Sequence, residues 1–95
     1  MATYKCDYDS IYDLAEQTRR DANDLESQSK TSNQERNAQL SSWSGDASTE
    51  FKDNSDQLDK DTQAVAGVMR AYADHLDEIA DTVKEADDYC ATAKI

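Results

Sequence analysis

The sequence has no proline, only two glycines, two cysteines and a single histidine among its 95 residues. Without proline, nothing in the sequence breaks a long helix from within. One histidine excludes a metal site built from several imidazoles, and two cysteines cannot form a structural zinc site or a disulfide framework unaided. No run approaches the roughly 18 apolar residues of a membrane span. We therefore expect neither a metal nor a cofactor.

Basic charge is also scarce. Ten Lys and Arg stand against 21 Asp and Glu, which gives a net charge of −11. Nucleic acid binding requires a basic stripe, so nucleic acid is excluded as a partner. Anionic membrane surfaces repel the same charge, so membrane insertion is not expected at neutral pH. Residues 1–9 lack the basic start, apolar run and cleavage site of a secretory signal, so any export is expected to proceed without a cleavable signal peptide.

The apolar residues are arranged in two helical patterns separated by a short polar cluster. On each side of Leu40–Asp46 they recur in steps of four and three, which is the spacing of an α-helix that packs along one stripe. The pattern predicts an all-α protein: a helix over about 7–41, a turn at 42–46 and a second helix over about 47–91. A short turn makes two long helices antiparallel neighbours, so we expect a helix-turn-helix hairpin.

The second helix carries the stronger stripe. The residues that we expect to carry packing within the hairpin and between hairpins are Phe51, Leu58, Val65, Met69, Tyr72, Leu76 and Ile79. Val68 and Ala80 lie on the flanks of this stripe, where we expect them to stay partly exposed. In the first helix the stripe turns polar, since between Glu26 and Gln39 only Ala38 is apolar. That half gains little from burial, and we expect it to be the less stable part of the first helix.

Two helices alone form a poor core, because each stripe contacts only one partner. Pairing of two hairpins into a four-helix bundle would cover the remaining apolar surface. Even several hundred Å² is comparable with a small domain's whole stability at about 25 cal/mol per Å². We therefore expect the hairpin to dimerise, with itself or with a related hairpin.

The turn contains Trp43, Ser44 and Gly45, a Trp-x-Gly motif placed between two long helices in an acidic chain of about one hundred residues. In this context the chain resembles the WXG superfamily of early-secreted-antigen-type proteins. The resemblance implies a secreted helical hairpin, export by a type VII secretion machinery, and a second WXG-type hairpin as partner. It also implies that these three residues are part of the export signal. The alternative is that Trp43 only plugs the end of the hairpin.

Family members commonly carry a second element near the C-terminus, a tyrosine followed four residues later by an acid. Here Asp87 matches the acid, but Val83 stands in place of the tyrosine. In the family, the turn of one subunit and the tail of its partner are thought to act together. The resemblance therefore implies that this chain could travel with a partner that supplies the tyrosine, and leaves autonomous export open. An ordinary solvated acid is the other interpretation of Asp87.

We expect no enzymatic activity. The sequence has neither a glycine-rich phosphate loop nor a Gly-x-Ser-x-Gly motif. Cys6 and Cys90 near opposite ends of the chain are two unpaired thiols in the simpler interpretation. In oxidising surroundings they could instead join the two ends of the hairpin or link two subunits.

The leading hypothesis is thus a secreted substrate or co-export partner of a type VII system that acts by helical association. The main alternative is an intracellular coiled-coil adaptor or chaperone whose Trp-Ser-Gly turn is coincidental. A membrane-perturbing effector is a third hypothesis, which would require low pH to neutralise the carboxylates.

Overall fold

A computed structural model describes residues 7–92 as two antiparallel helices. Helix α1 spans Tyr8–Leu40 and helix α2 spans Asp46–Thr92. The sequence placed them at about 7–41 and 47–91, so each end lies one residue from its expected position. The hairpin measures 77 × 18 × 15 Å. The all-α hairpin predicted from the spacing of apolar residues is therefore the observed fold.

Helix α1 begins at a capping residue. The Asp7 carboxylate accepts a hydrogen bond from the backbone N–H of Ser10 at 3.2 Å and a second one from the Ser10 hydroxyl at 2.7 Å. A carboxylate at this position satisfies a free N–H of the first turn and favours the positive end of the helix dipole. The chain therefore enters the helix directly after Asp7.

The interior between the helices is made of small residues in the half of the hairpin away from the turn, which we call the open half. The fully buried residues there are Ala15, Ala22, Ala66, Ala73 and Ala80. Alanine is the strongest helix former, and its short side chain lets two helix backbones approach closely. Leu76 is also buried, at 8% exposure, and packs with Ala15, Ala73 and the partly buried Ile11. The expectation that Ala80 lies on an exposed flank was wrong, because the interior uses alanine where the sequence pattern favoured larger side chains.

The interior next to the turn, in the turn half, is mainly polar, apart from Leu40, which is buried at the end of α1. Ser55 is buried at 5% exposure; its hydroxyl accepts a hydrogen bond from Arg36 Nε at 2.6 Å and donates one to Asn33 Oδ1 at 2.7 Å. Asn33 in turn donates to Asp56 at 3.1 Å, and Ser29 donates to Asp59 at 2.8 Å. Side chains of α1 and α2 therefore form hydrogen bonds across this half, although Asn37 Oδ1 is buried without a partner. These bonds explain how α1 continues through its apolar-poor segment to Leu40.

Neither described helix has the length of apolar sequence that crossing a membrane requires.

Candidate functional site

The turn that joins the helices occupies residues 41–45 and is built from backbone hydrogen bonds. The N–H of Trp43 donates to the carbonyl of Leu40 at 2.9 Å, and the N–H of Thr49 donates to the carbonyl of Gly45 at 3.3 Å. Gly45 has a φ of +109° with open space around it. Glycine is thus required there by the backbone angle, because side chains of L-residues disfavour positive φ. The turn geometry explains the glycine of the motif.

Trp43 projects from this turn into solvent. Its side chain is 62% exposed, and its ring contacts that of Phe51 with centroids 6.5 Å apart and planes tilted by 57°, the tilted geometry that aromatic pairs prefer. Together with Leu40, Thr49 and Lys52 it borders a shallow cleft at the tip of the hairpin. A ring left this exposed does little to stabilise the hairpin, so its apolar surface is available to another molecule.

One broad side of the hairpin, which we call the polar face, is closed by contacts between charged and polar side chains. Arg19 Nη2 lies 2.8 Å from Asp74 Oδ1 and 2.5 Å from Asp77 Oδ2. Arg70 reaches across to Glu26, with 2.8 Å between Nη1 and Oε2. These pairs join α1 to α2 in the open half.

A tyrosine hydroxyl joins the same face. Tyr12 donates to the Asp81 carboxylate, and this hydrogen bond raises the pKa of the Tyr12 phenol to about 12, because ionising the phenol would remove the donor and place two negative charges together. The pKa of Glu26 is lowered by the hydrogen bond from Arg70, and the pKa of Arg19 is raised by its bonds to Asp74 and Asp77. Arg19 and Arg70 therefore both have acidic partners within the hairpin itself.

Another surface of the hairpin carries large apolar side chains that stay exposed. We define the apolar face as the large apolar side chains of the two helices that are between 49% and 69% exposed: Leu14, Phe51, Leu58, Val65, Val68, Tyr72 and Ile79. Five of them follow one another along α2 at intervals of seven residues. Shallow clefts separate them, one lined by Arg36, Phe51 and Leu58 and another by Leu25, Arg36 and Leu58. A row of exposed large apolar side chains along most of one helix is typical of an interaction surface.

The predicted packing residues of α2 thus fall into two groups. Met69 is partly buried and Leu76 is buried, and both face α1. The remaining five are the members of the apolar face spaced by seven residues, and their cover by a second hairpin stays a prediction. Val83 is half-buried and Asp87 is exposed, one helical turn apart. Cys90 is exposed with a free thiol, whereas Cys6 lies outside the described residues, so the bond between them stays a prediction.

Sequence reasoning missed the buried alanines of α2 and the cross-helix ion pairs, whereas the buried Ala15 and Ala22 of α1 do follow the apolar spacing of that helix. Ala66, Ala73 and Ala80 repeat every seven residues, a signal that was present but weaker than the neighbouring stripe of large residues. Arg19 and Arg70 stood among many charges, with no local signal that identified their partners. Within residues 7–92, no group of three or more His, Cys, Asp and Glu side chains is arranged to hold a metal ion.

Comparison with known protein families gives a match. A family model described as proteins of 100 residues with WXG matches residues 3–88, a range that includes both helices up to Asp88 and the Trp-Ser-Gly turn. No curated protein and no solved structure shows significant similarity to the chain.

Proposed function

The chain belongs to the WXG100 family, and from this premise we propose that it is a secreted substrate or co-export partner of a type VII secretion system. The family implies a small helical protein of the secreted type in such a system. The finer role proposed is association: one surface recognises the export machinery and a second surface binds another hairpin. Neither role requires a chemical step.

The exposed indole at the hairpin tip carries the proposal. Trp43 is 62% exposed although it is the largest apolar side chain in the sequence. The backbone geometry of the turn is set by hydrogen bonds and by Gly45, and neither uses the indole. An exposed tryptophan on a hydrogen-bonded turn is suited to bind a pocket on another protein, where it would be an energetic anchor. We propose that the secretion machinery binds Trp43 in this way.

The C-terminal part of α2 supplies the second part of the proposal. Val83 and Asp87 lie one turn apart on the helix, at the positions where family members carry the tyrosine and the acid. Valine has neither the ring nor the hydroxyl of tyrosine. We propose that a partner hairpin supplies the complete tail signal and that this chain contributes the turn, so that the two are exported together.

Replacing Trp43 with alanine tests the recognition role. We expect Trp43→Ala to retain helicity by circular dichroism and to abolish export from cells that secrete the wild type, measured as the secreted fraction on immunoblots. Ser42→Ala, in the same turn but outside the motif, is the matched control and should be exported normally.

Export of a folded Trp43→Ala variant at the wild-type level would refute the recognition role. If the wild type itself stays in the cytosol with a partner that is not secreted, the intracellular adaptor becomes the better hypothesis. An unfolded variant would show that Trp43 is needed for the hairpin; Trp43→Phe, which keeps an aromatic contact with Phe51, then separates folding from recognition.

A further inference from the structure

A cleft of about 290 Å³ opens at the tip of the hairpin, beside the exposed indole of Trp43. From its lining we propose that this tip cleft binds an arginine side chain of the protein that recognises Trp43, with the guanidinium lying against the indole and the acceptors of the cleft. The inference rests on the proposed function, because it names the chemical group that binds at the tip. The side chains that carry it are Asn37, Ser41, Trp43, Ser48, Thr49 and Lys52.

The hydroxyl groups of the tip cleft already use their hydrogens. Ser41 Oγ donates to the carbonyl of Ala38 at 2.6 Å, and Ser48 Oγ donates to the carbonyl of Gly45 at 2.8 Å. Thr49 Oγ1 donates to the same Gly45 carbonyl at 3.4 Å. A hydroxyl has one hydrogen and two lone pairs, so each of these groups offers a ligand an acceptor and no donor. The cleft therefore favours a ligand that is rich in N–H groups.

Asn37 adds an unpaired acceptor to the lining. Its Nδ2 donates to Asp56 Oδ1 at 3.3 Å, and its Oδ1 is buried without a hydrogen-bond partner. Because an ionised carboxylate only accepts, the bond to Asp56 fixes which end of the amide is the oxygen. A buried acceptor without a donor is unfavourable, and the last torsion of asparagine varies broadly. An N–H group that enters the cleft can therefore satisfy an oxygen that the free hairpin leaves unpaired.

The charge of the tip favours a cation. Residues 35–56 carry five acids and two bases. The negative end of the α1 dipole lies here with no basic residue in its last turn, whereas the positive end of α2 already has Asp46 in its first turn. Lys52 also lines the cleft, but its charge acts on Asp56, whose pKa is lowered by hydrogen bonds from Asn33 and Asn37 and then by nearby lysines. The net charge around the cleft therefore attracts a cation.

Arginine matches this lining better than lysine. Its planar guanidinium carries five N–H donors and stacks on aromatic rings, whereas the lysine ammonium has three donors and is more strongly hydrated. Tryptophan attracts cations more strongly than the other aromatic side chains, and the tilted contact with Phe51 leaves Trp43 62% exposed. Pockets for drug-sized ligands have roughly 300–1,000 Å³, so the volume of the tip cleft suits a single side chain.

Titration of the purified hairpin with blocked amino acids tests the site. Trp43 is the only tryptophan in the sequence, so its fluorescence and its indole N–H resonance report directly on the tip. We expect N-acetylarginine amide to bind with a Kd of about 1–10 mM and to shift the resonances of Trp43 and of the Asn37 side-chain amide. At the same ionic strength, N-acetyllysine amide and the anion N-acetylglycine should bind at least about fivefold more weakly.

Lys52→Gln separates a cation site from an anion site. Loss of this positive charge should tighten binding of the arginine probe about two- to threefold, because a like charge near the guanidinium is removed. Lys84→Gln makes the same charge change in the open half and is the matched control, with a Kd close to that of the wild type.

Two further positions test the acceptors of the cleft. Asn37→Ala should weaken binding of the arginine probe about fivefold, because it removes the unpaired oxygen. Thr49→Val should weaken binding about twofold, while Thr49→Ser keeps the hydroxyl and should bind like the wild type. Circular dichroism verifies that each variant is folded; if Asn37→Ala is not, the Thr49 pair still tests the acceptors.

Three results would overturn the inference. Tighter binding of N-acetylglycine, or weaker binding of the arginine probe by Lys52→Gln, would make the cleft an anion site. Equal affinity for the arginine and lysine probes would show attraction of charge without recognition of a guanidinium. No response of Trp43 at about 50 mM arginine probe, above the expected Kd, would exclude the site.

The export assay keeps this inference distinct from the proposed function. If the arginine probe fails to bind but export still depends on Trp43, the tip is recognised through other chemistry and the proposed function stands. If the probe binds but Trp43→Ala is exported like the wild type, the proposed function falls while the arginine site remains.

Discussion

The two halves of the hairpin are held together by different forces. Around Ala15 and Ala73, in the open half, the interior is apolar and fully buried. Around Asn33 and Ser55, in the turn half, the interior is a network of side-chain hydrogen bonds. Burial is non-directional and proportional to area, whereas a hydrogen bond requires a fixed donor and acceptor geometry. The open half therefore supplies most of the stability, and the turn half fixes the alignment of the helices.

The apolar interior alone does not fix the axial register of α1 against α2. The alanine interior repeats every seven residues, so shifting one helix by two turns would again place alanine opposite alanine at little cost. The same shift would separate Arg36 from Ser55 and Asn33 from Asp56, and would leave these buried or partly buried polar groups without those partners. A polar network inside a helical interface is an attested way to fix register.

The largest effect should come from the open half. Leu76 is 8% exposed, and truncation to alanine removes buried apolar area and leaves space that rigid helices cannot fill. We expect Leu76→Ala to lower the free energy of unfolding by about 2–3 kcal/mol in urea titrations. Ile79→Ala, measured in dilute monomer, is the control on the exposed side of the same helix and should cost less than about 1 kcal/mol. Equal losses of unfolding free energy in the two variants would show that the burial of Leu76 does not contribute more to stability than the exposed Ile79 does.

An intermediate effect should come from the turn half. Ser55→Ala removes the acceptor of Arg36 Nε and the donor to Asn33 Oδ1, and leaves both groups without that partner in a partly buried site. We expect a loss of about 1–2 kcal/mol, with faster amide hydrogen exchange in residues 26–40 than in residues 8–25. Ser27→Ala, on the exposed side of α1, should be neutral. If Ser55→Ala cost more than Leu76→Ala, the assignment of stability to the open half would be wrong.

The smallest effect should be a pH dependence of the turn half. The Asp56 carboxylate accepts hydrogen bonds from Asn33 and Asn37, and these hold its pKa below the ordinary value of 3.8. Because the folded-state pKa is depressed, the contribution is fully present above the unfolded-state pKa and is lost as pH falls through the folded-state value. The stability difference between wild type and Asp56→Asn should therefore shrink below about pH 4. Asp53→Asn, on the exposed side, should show no such change; a pH-independent difference for Asp56→Asn would contradict the assignment.

Most of the fold could be predicted from the sequence, because helix formation and the turn depend on local signals. The apolar spacing and the cluster around Gly45 placed both helices and the turn between them. The orientation of α2 was predicted only in part. Large residues such as Leu58 and Tyr72 give a stronger pattern than Ala66 and Ala73, so the stripe was centred on the side of the helix that is half exposed.

The candidate site also has a part that could be predicted from the sequence and a part that could not. Trp43 and Gly45 could be found because their positions relative to the two helices are visible in the sequence. The ion pairs of Arg19 and Arg70 on the polar face could not be found from the sequence. Their partners lie 44 to 58 residues away, and the alignment of the two helices decides which residues they are. That alignment depends in turn on the hydrogen-bond network in the turn half, whose members look like ordinary polar residues in the sequence.

Because one turn joins α1 and α2, it also determines the order in which contacts between the two helices form and break. Chain separation across the hairpin grows steadily with distance from the connection, from 19 residues between Arg36 and Ser55 to 69 between Tyr12 and Asp81. Closing a short loop costs less entropy than closing a long one, so side chains of α1 and α2 pair first near the turn and later toward the open end. A pulling force applied to the two chain ends would separate these pairs in the reverse order, with Tyr12 and Asp81 separating early and Arg36 and Ser55 late. The molecule can therefore be straightened one pair at a time, with no step at which the whole interface must fail at once.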